Sequence, residues 1–318
     1  MARGEGGRLN PRAGDGEPGD EPDGSSPGDL PAPRTGWATV GLLSPPLLWL
    51  AVFFLIPLLV VAAYSVGALS LFPTGEGVTF YDWGRFLRGD SVYLQLFWKS
   101  IRMALTVSAI VVVLAYPLGY FLALVAGKRK YILLLLVIVP FLTSYLLRVL
   151  AWRVILGSEG VINTLLYSVG IRDPNDPVPW LIYSQFTVIL VLVYVWVPFV
   201  ALPIFVTLEN LDTSMLEAGT DLGANRWGVF WRVTFPQSLP GIAAAFVFVF
   251  IPTIGEFVTP SLVGGTKGTM FGNAISSLFL NGLDWQTGSV LALFLVVVVG
   301  VLMAISARFL RLRELETI

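Results

Sequence analysis

Few residues in this chain are equipped for chemistry, and their types narrow what it can do. Glu256 is the one acid deep inside a long apolar stretch. A charge at mid-membrane depth costs on the order of 2.5–3.5 kcal/mol on insertion scales, so it must face a cavity or a partner. It suits a cationic ligand, or else pairing with Arg148 in another apolar stretch. Tyr194 and Trp196, with Trp180 and Tyr183, offer π faces for a cation; the alternative is an interfacial aromatic belt or packing between helices. Glu217 and Asp221 stand one helical turn apart, with Ala218 and Gly219 between them and Gly223 just beyond. The 318 residues contain no histidine and no cysteine. That removes imidazole bases, thiolate nucleophiles, disulfides, Fe–S clusters and most transition-metal sites. Without these groups a membrane-embedded enzyme would depend on acids alone, and Glu256 has no acidic neighbour in an apolar stretch.

The elements that must hold these residues are apolar helices. Hydrophobic residues make up 55% of the chain, charged residues 13%, and mean hydropathy is +0.77. Soluble domains average roughly 45–50% apolar and 25% charged. A net charge of −1 argues against nucleic-acid binding. About 20 mainly apolar residues cross a bilayer as a helix. On that measure spans are expected at 47–69, 103–127, 131–150, 183–206, 240–263 and 285–307. The runs are continuous rather than alternating, so helices are expected and not a barrel. Pro57, Pro117, Pro140, Pro198, Pro203 and Pro252 fall inside spans and read as kinks or hinges.

Residues 1–36 differ from all that follows, with nine Gly, six Pro, seven acids and four Arg. So little there can be buried that a disordered tail is expected. An even number of spans puts both termini on one side. The clusters Lys128–Lys130 and Arg308, Arg311 and Arg313, with Arg226 and Arg232, make that side cytoplasmic.

Between the fourth and fifth spans lies a loop with helical pattern, residues 209–240. Asp212 or Ser214 can cap its start, and Ser214 with Glu217 fits a capping box. Met215, Ala218, Gly219 and Leu222 recur on one face. Gly223 suits a helix end, and Trp227, Phe230 and Trp231 form a second short stripe. Two short helices are expected, the second lying at the membrane interface. The loop resembles the "EAA" loop of permease subunits of binding-protein-dependent ABC importers: E-A-A, three residues, G, nine residues, then I-x-L-P. Here Glu217-Ala218-Gly219 is followed at the same spacing by Gly223 and by Val233-Thr-Phe235-Pro236. The departures are Gly for the second Ala, Val for Ile and Phe for Leu.

The resemblance covers roughly residues 40–312. It implies an all-α polytopic membrane protein of the type I ABC importer permease fold, with a transmembrane domain over 37–318 and six transmembrane helices; the tail over 1–36 has no counterpart in the family pattern. Glu217, Ala218, Gly219, Asp221 and Gly223 would form a cytoplasmic coupling helix docked on an ATPase dimer. The partners implied are that dimer, a second permease, an external solute-binding protein, a small solute and the bacterial cytoplasmic membrane. The chain has no G-x-x-x-x-G-K-[ST] loop, so ATP and Mg belong to the partner and no cofactor is expected here. Val139-Pro140-Phe141 leading to Leu147-Arg148, Gly160-Val-Ile-Asn163, Gly255-Glu256-Phe257 and Gly264-Gly265 are similar to the spermidine/putrescine permease branch. In that case Glu256, Tyr194 and Trp196 would line a polyamine path. Thiamine, ferric iron or an anion are alternative cargoes of the same machine. A stand-alone secondary transporter would leave the loop unexplained, and such proteins often show repeated halves, of which this sequence gives no clear sign.

Overall fold

The computed structural model describes residues 37–70, 77–88, 91–173 and 176–315; the expected tail at 1–36 lies outside the described residues. Among them, six stretches are long and apolar enough to span a membrane: Val40–Ser65, Val92–Val125, Tyr145–Ser168, Gln185–Glu209, Arg226–Ile254 and Trp285–Arg308.

The chain divides into two compact units at Ile56 and Pro57. In the first, α1 (Trp37–Leu50) runs into a wide π-helical turn, Ala51–Leu55. The second takes α2 (Ile56–Ser65) from Pro57 onward and continues through α3 (Tyr81–Leu87) to the long α4 (Val92–Tyr120). Next come α5 (Lys130–Ile138), α6 (Tyr145–Leu156), α7 (Val161–Ser168) and α8 (Gln185–Glu209). Two short helices follow, α9 (Thr213–Asp221) and α10 (Arg226–Val229). The chain closes with α11 (Phe235–Ile254), α12 (Gly265–Gly268), α13 (Phe271–Leu280) and α14 (Trp285–Leu315).

The core of the second unit sits where α4, α8 and α11 meet. Val107, Val111 and Ala115 recur every fourth residue on α4 and are fully buried, one stripe of a helix. They share a cluster with Val188, Val191, Leu192, Ala201, Ile204 and Leu208 of α8 and Ala245 and Val249 of α11. Lipid tails are as apolar as these side chains, so close packing rather than water exclusion holds such helices together. The glycines show how close. A Cβ on Gly241 would lie 2.1 Å from Thr207 Oγ1, and one on Gly119 would lie 2.8 Å from Ile204 Cγ2. A second cluster gathers Phe86, Phe97, Phe271, Val290 and Leu291. There Ser100 Oγ accepts the Phe271 N–H at 2.7 Å.

Two expected spans are not single helices. The third, 131–150, breaks: α5 stops at Ile138, Val139–Leu142 make a 3-10 turn around Pro140, and α6 restarts at Tyr145. Pro140 brings no N–H to an α-helical ladder, and its carbonyl accepts the Thr143 N–H and hydroxyl instead. A second turn at Gly157–Gly160 divides α6 from α7. The fifth span, expected over 240–263, ends as a helix at Ile254, and Glu256 lies in the break that follows rather than inside a helix. Pro117, Pro198, Pro203 and Pro252, by contrast, sit within continuous helices.

Candidate functional site

The loop after α8 folds as two short helices, and its sequence explains each boundary. Asp212, not Ser214, takes the N-cap position: its carboxylate accepts the Ser214 N–H at 2.9 Å. Ser214 backbone and side-chain donors hold the Asp212 carboxyl below its ordinary value. Gly223 ends α9 with φ +83°, and its N–H returns to the Thr220 carbonyl at 2.9 Å. This left-handed turn is one that Gly adopts readily and other L-residues rarely do. Asn225 then caps α10 by accepting the Gly228 N–H at 2.7 Å.

The face these residues present differs in part from the expected one. Glu217, Ala218, Asp221 and Leu222 are exposed, Leu222 to 90%. Gly219 does not join them. It turns inward, where a Cβ would meet Val229 at 3.4 Å and Val233 at 3.7 Å. The small residue serves packing of α9 on the next helix, so the outward surface is carried by Met215, Glu217, Ala218, Asp221 and Leu222. The aromatic stripe beyond is anchored too. The Phe230 ring centroid lies 6.0 Å from that of Tyr116 and 5.7 Å from that of Tyr120, while Trp227 remains 68% exposed.

The proposed path residues fall in separate settings. Glu256 Oε1 accepts the backbone N–H groups of Val258 at 2.8 Å and Thr259 at 3.0 Å. The carboxylate thus caps the segment that restarts after the break. Tyr145, at the start of α6, hydrogen-bonds Thr259 through its hydroxyl and lies within electrostatic range of both Glu256 and Arg148. The restart of the broken third span is thereby tied to the restart of the broken fifth. No ion pair joins Glu256 to Arg148 among the described residues. Tyr194 and Trp196 stand two positions apart on α8 and so face different neighbours. The Tyr194 centroid lies 5.4 Å from that of Trp152. Trp196 packs against Phe199 at 5.6 Å and Phe248 of α11 at 6.2 Å.

Two further relationships were not legible in the sequence. Lys130 and Glu209 form an ion pair across the roots of α5 and α8. Tyr183, at φ +58°, sits against Gly265, whose Cβ would lie 2.8 Å from that of Tyr183. Asn225, two residues past a helix-ending Gly, was a readable cap signal.

An all-helical membrane chain with a capped helix pair between its fourth and fifth long apolar helices defines a class: the membrane component of a transport machine. Residues 115–314 match the family described as "Binding-protein-dependent transport system inner membrane component". This chain belongs to that family; it is a multi-pass inner-membrane permease of an ABC importer and not itself an enzyme. The importer works with a binding protein and with an ATPase that holds the ATP. The "Spermidine/putrescine transport system permease protein PotB" of Haemophilus influenzae is 35% identical over 265 residues, which is 82% of this chain and 90% of that protein. Its namesake in Escherichia coli is 33% identical over 271 residues, 83% and 94% of the two chains. In fold, the chain is similar to one in the crystal structure of a bacterial ABC transporter involved in the import of the acidic polysaccharide alginate. The TM-score is 0.64 at 18% identity, over 86% of this chain and 95% of that one.

Proposed function

We propose that this chain is one of two membrane subunits of a polyamine importer. The observation that carries the cargo is its likeness to spermidine/putrescine permeases over more than four-fifths of its length. In this reading α9 is the coupling helix. Glu217 and Asp221 meet basic groups at the rim of a groove on an ATPase dimer, Ala218 lets the backbones approach, and Gly219 and Gly223 set the helix against its neighbour and end it. A capped helix packed on its neighbour moves as a rigid body, so closure of the motor is passed to the membrane helices. Both termini, with the tail of residues 1–36, face the cytoplasm, and a second permease and an external binding protein complete the path. Glu256 and Trp196 line the route of the cation, and Tyr194 stands at its border with the second permease. Glu256 does so from a position fixed by its capping of the segment that follows, and the two aromatic residues act from different faces of α8.

The test is uptake. The chain, expressed with its partner subunits in cells stripped of their own polyamine import, should accumulate labelled spermidine or putrescine. Accumulation should stop when ATP is depleted. A binding protein of the same importer that ignores both amines and retains another solute would move the cargo elsewhere.

A further inference from the structure

We propose that the Arg148 face of this chain seats a helix of the second membrane subunit and that a carboxylate on that helix pairs with Arg148. The inference rests on the reading above that two membrane subunits form the path for a cation.

Arg148, on α6, is half-buried, and its Nε is buried with no hydrogen-bond acceptor. Its guanidinium carbon lies 4.7 Å from the Phe141 ring centroid and 6.0 Å from that of Tyr145. Aromatic faces attract a cation weakly; they do not replace an anion. Among the described residues no carboxylate pairs with it: the ion pairs are Lys130–Glu209 and Arg172–Asp176. Glu256, which like Arg148 lies within electrostatic range of Tyr145, has an oxygen committed to the N–H groups of Val258 and Thr259.

Arg148 lines an open notch of 280 Å³ whose walls include Leu114, Phe141, Leu190, Val193, Tyr194 and Val197. At about 1.5 Å per helical residue, Leu114 stands roughly 16 Å from the Val125 end of its span. By the same measure Val197 stands about 18 Å from the Gln185 end of α8. The notch therefore lies near the middle of a hydrocarbon layer roughly 30 Å thick. Lipid tails carry no acceptor at that depth, and a lone guanidinium there is expensive. A polyamine carries no anion, and the notch offers it cationic and apolar walls. An apolar recess with one cation at its edge matches the side chains of another membrane helix that bears an acid.

The experiment uses the importer purified with all its subunits. Arg148→Met keeps length and removes charge; Arg148→Lys keeps charge. Arg148→Met should lower recovery of the second membrane subunit at least tenfold, and Arg148→Lys should retain at least half. The full chain carrying Arg148→Met, purified alone in detergent, should melt no lower than the parent, because an unpaired buried charge has gone. Arg148→Glu should be rescued by an acid-to-Lys or acid-to-Arg change in the second subunit. Full assembly with Arg148→Met overturns the proposal, whether or not uptake falls, and would direct attention to a solute carboxylate. Assembly that depends on anionic lipid instead, or a lower melting point of the lone Arg148→Met chain, overturns it as well. Absence of polyamine uptake by the parent complex would sink the cargo assignment and leave the assembly result standing.

Discussion

Lys130, the first residue of α5, is ion-paired with Glu209, the last residue of α8, across 79 positions of sequence. Three residues after Glu209 comes the cap of α9. The pair therefore ties the root of the loop helix to the root of the broken third span. Both side chains are about one quarter exposed, at 23% and 27%, so solvent screens the pair and its share of stability is small. Its effect should fall on transport. Reversing either charge alone should reduce uptake at least fivefold with little change in melting temperature. Lys130→Glu combined with Glu209→Lys should recover more than half. Equal defects in the single and double variants would rule out the pair as the link.

Glu217 is exposed on α9 and makes no ion pair among the described residues. Glu217→Lys places a cation where a basic rim is proposed. Insertion and purification should be normal, and solute-stimulated ATP hydrolysis should drop to the unstimulated rate. Normal uptake by this variant would remove Glu217 from the docking surface.

Gly219 and Gly223 should respond in opposite ways. A Cβ on Gly219 meets Val229 at 3.4 Å, an ordinary contact, and Ala in a helix is favoured over Gly by roughly 0.8–1.0 kcal/mol. Gly219→Ala should thus preserve or raise stability and leave uptake intact. Gly223 holds φ +83°, where an L-residue costs about 1–2 kcal/mol. Gly223→Val should fray α9, seen as faster amide exchange over residues 213–221, and should lower uptake.

Glu256 has two separable roles. Glu256→Gln keeps an oxygen for the Val258 and Thr259 N–H groups and deletes the charge; Glu256→Ala deletes both. If the carboxylate meets the cargo, Gln should cut polyamine uptake about tenfold while the complex still assembles. Ala should also lower the melting temperature. Wild-type uptake by the Gln variant would leave capping as the whole role.

Gly241 lies where α11 crosses Thr207 of α8, with space for no Cβ. Forcing atoms into a packed contact costs typically 1–3 kcal/mol. Gly241→Ala should lower the melting temperature and yield. Gly241→Ala combined with Thr207→Ala should restore only part of the loss, because the Cβ kept at residue 207 would still stand 2.7 Å from the added methyl.

Much of this architecture was open to reading from residue order, because a bilayer forces every span to satisfy its own backbone. Long uncharged runs such as 103–127 and 285–307 had no alternative but helix, and the structure has helices at both. The helix pair after α8 was readable for a local reason: Asp212, Gly223 and Asn225 act through bonds to backbone groups two to four residues away. Hydropathy did not show the breaks. Residues 131–147 and 240–255 are uncharged throughout, and their sequence does not separate a kinked helix at Pro140 or Pro252 from an interrupted one.

Residue order alone thus determined the helical class, the position of the loop and Gly223 as the end of its first helix, since these depend on run length and near neighbours; it left Asp212 and Ser214 both open as the starting cap, which the structure gives to Asp212. Tertiary structure decided which way each side chain faces and whom it meets. Gly219 turns inward because Val229 stands beside it, and Glu256 caps a restarting segment because the chain breaks at Gly255. Lys130 finds Glu209, and Arg148 is left without an anion, because helices far apart in sequence pack side by side. Such pairings depend on the crossing geometry of whole helices, which no local spacing encodes.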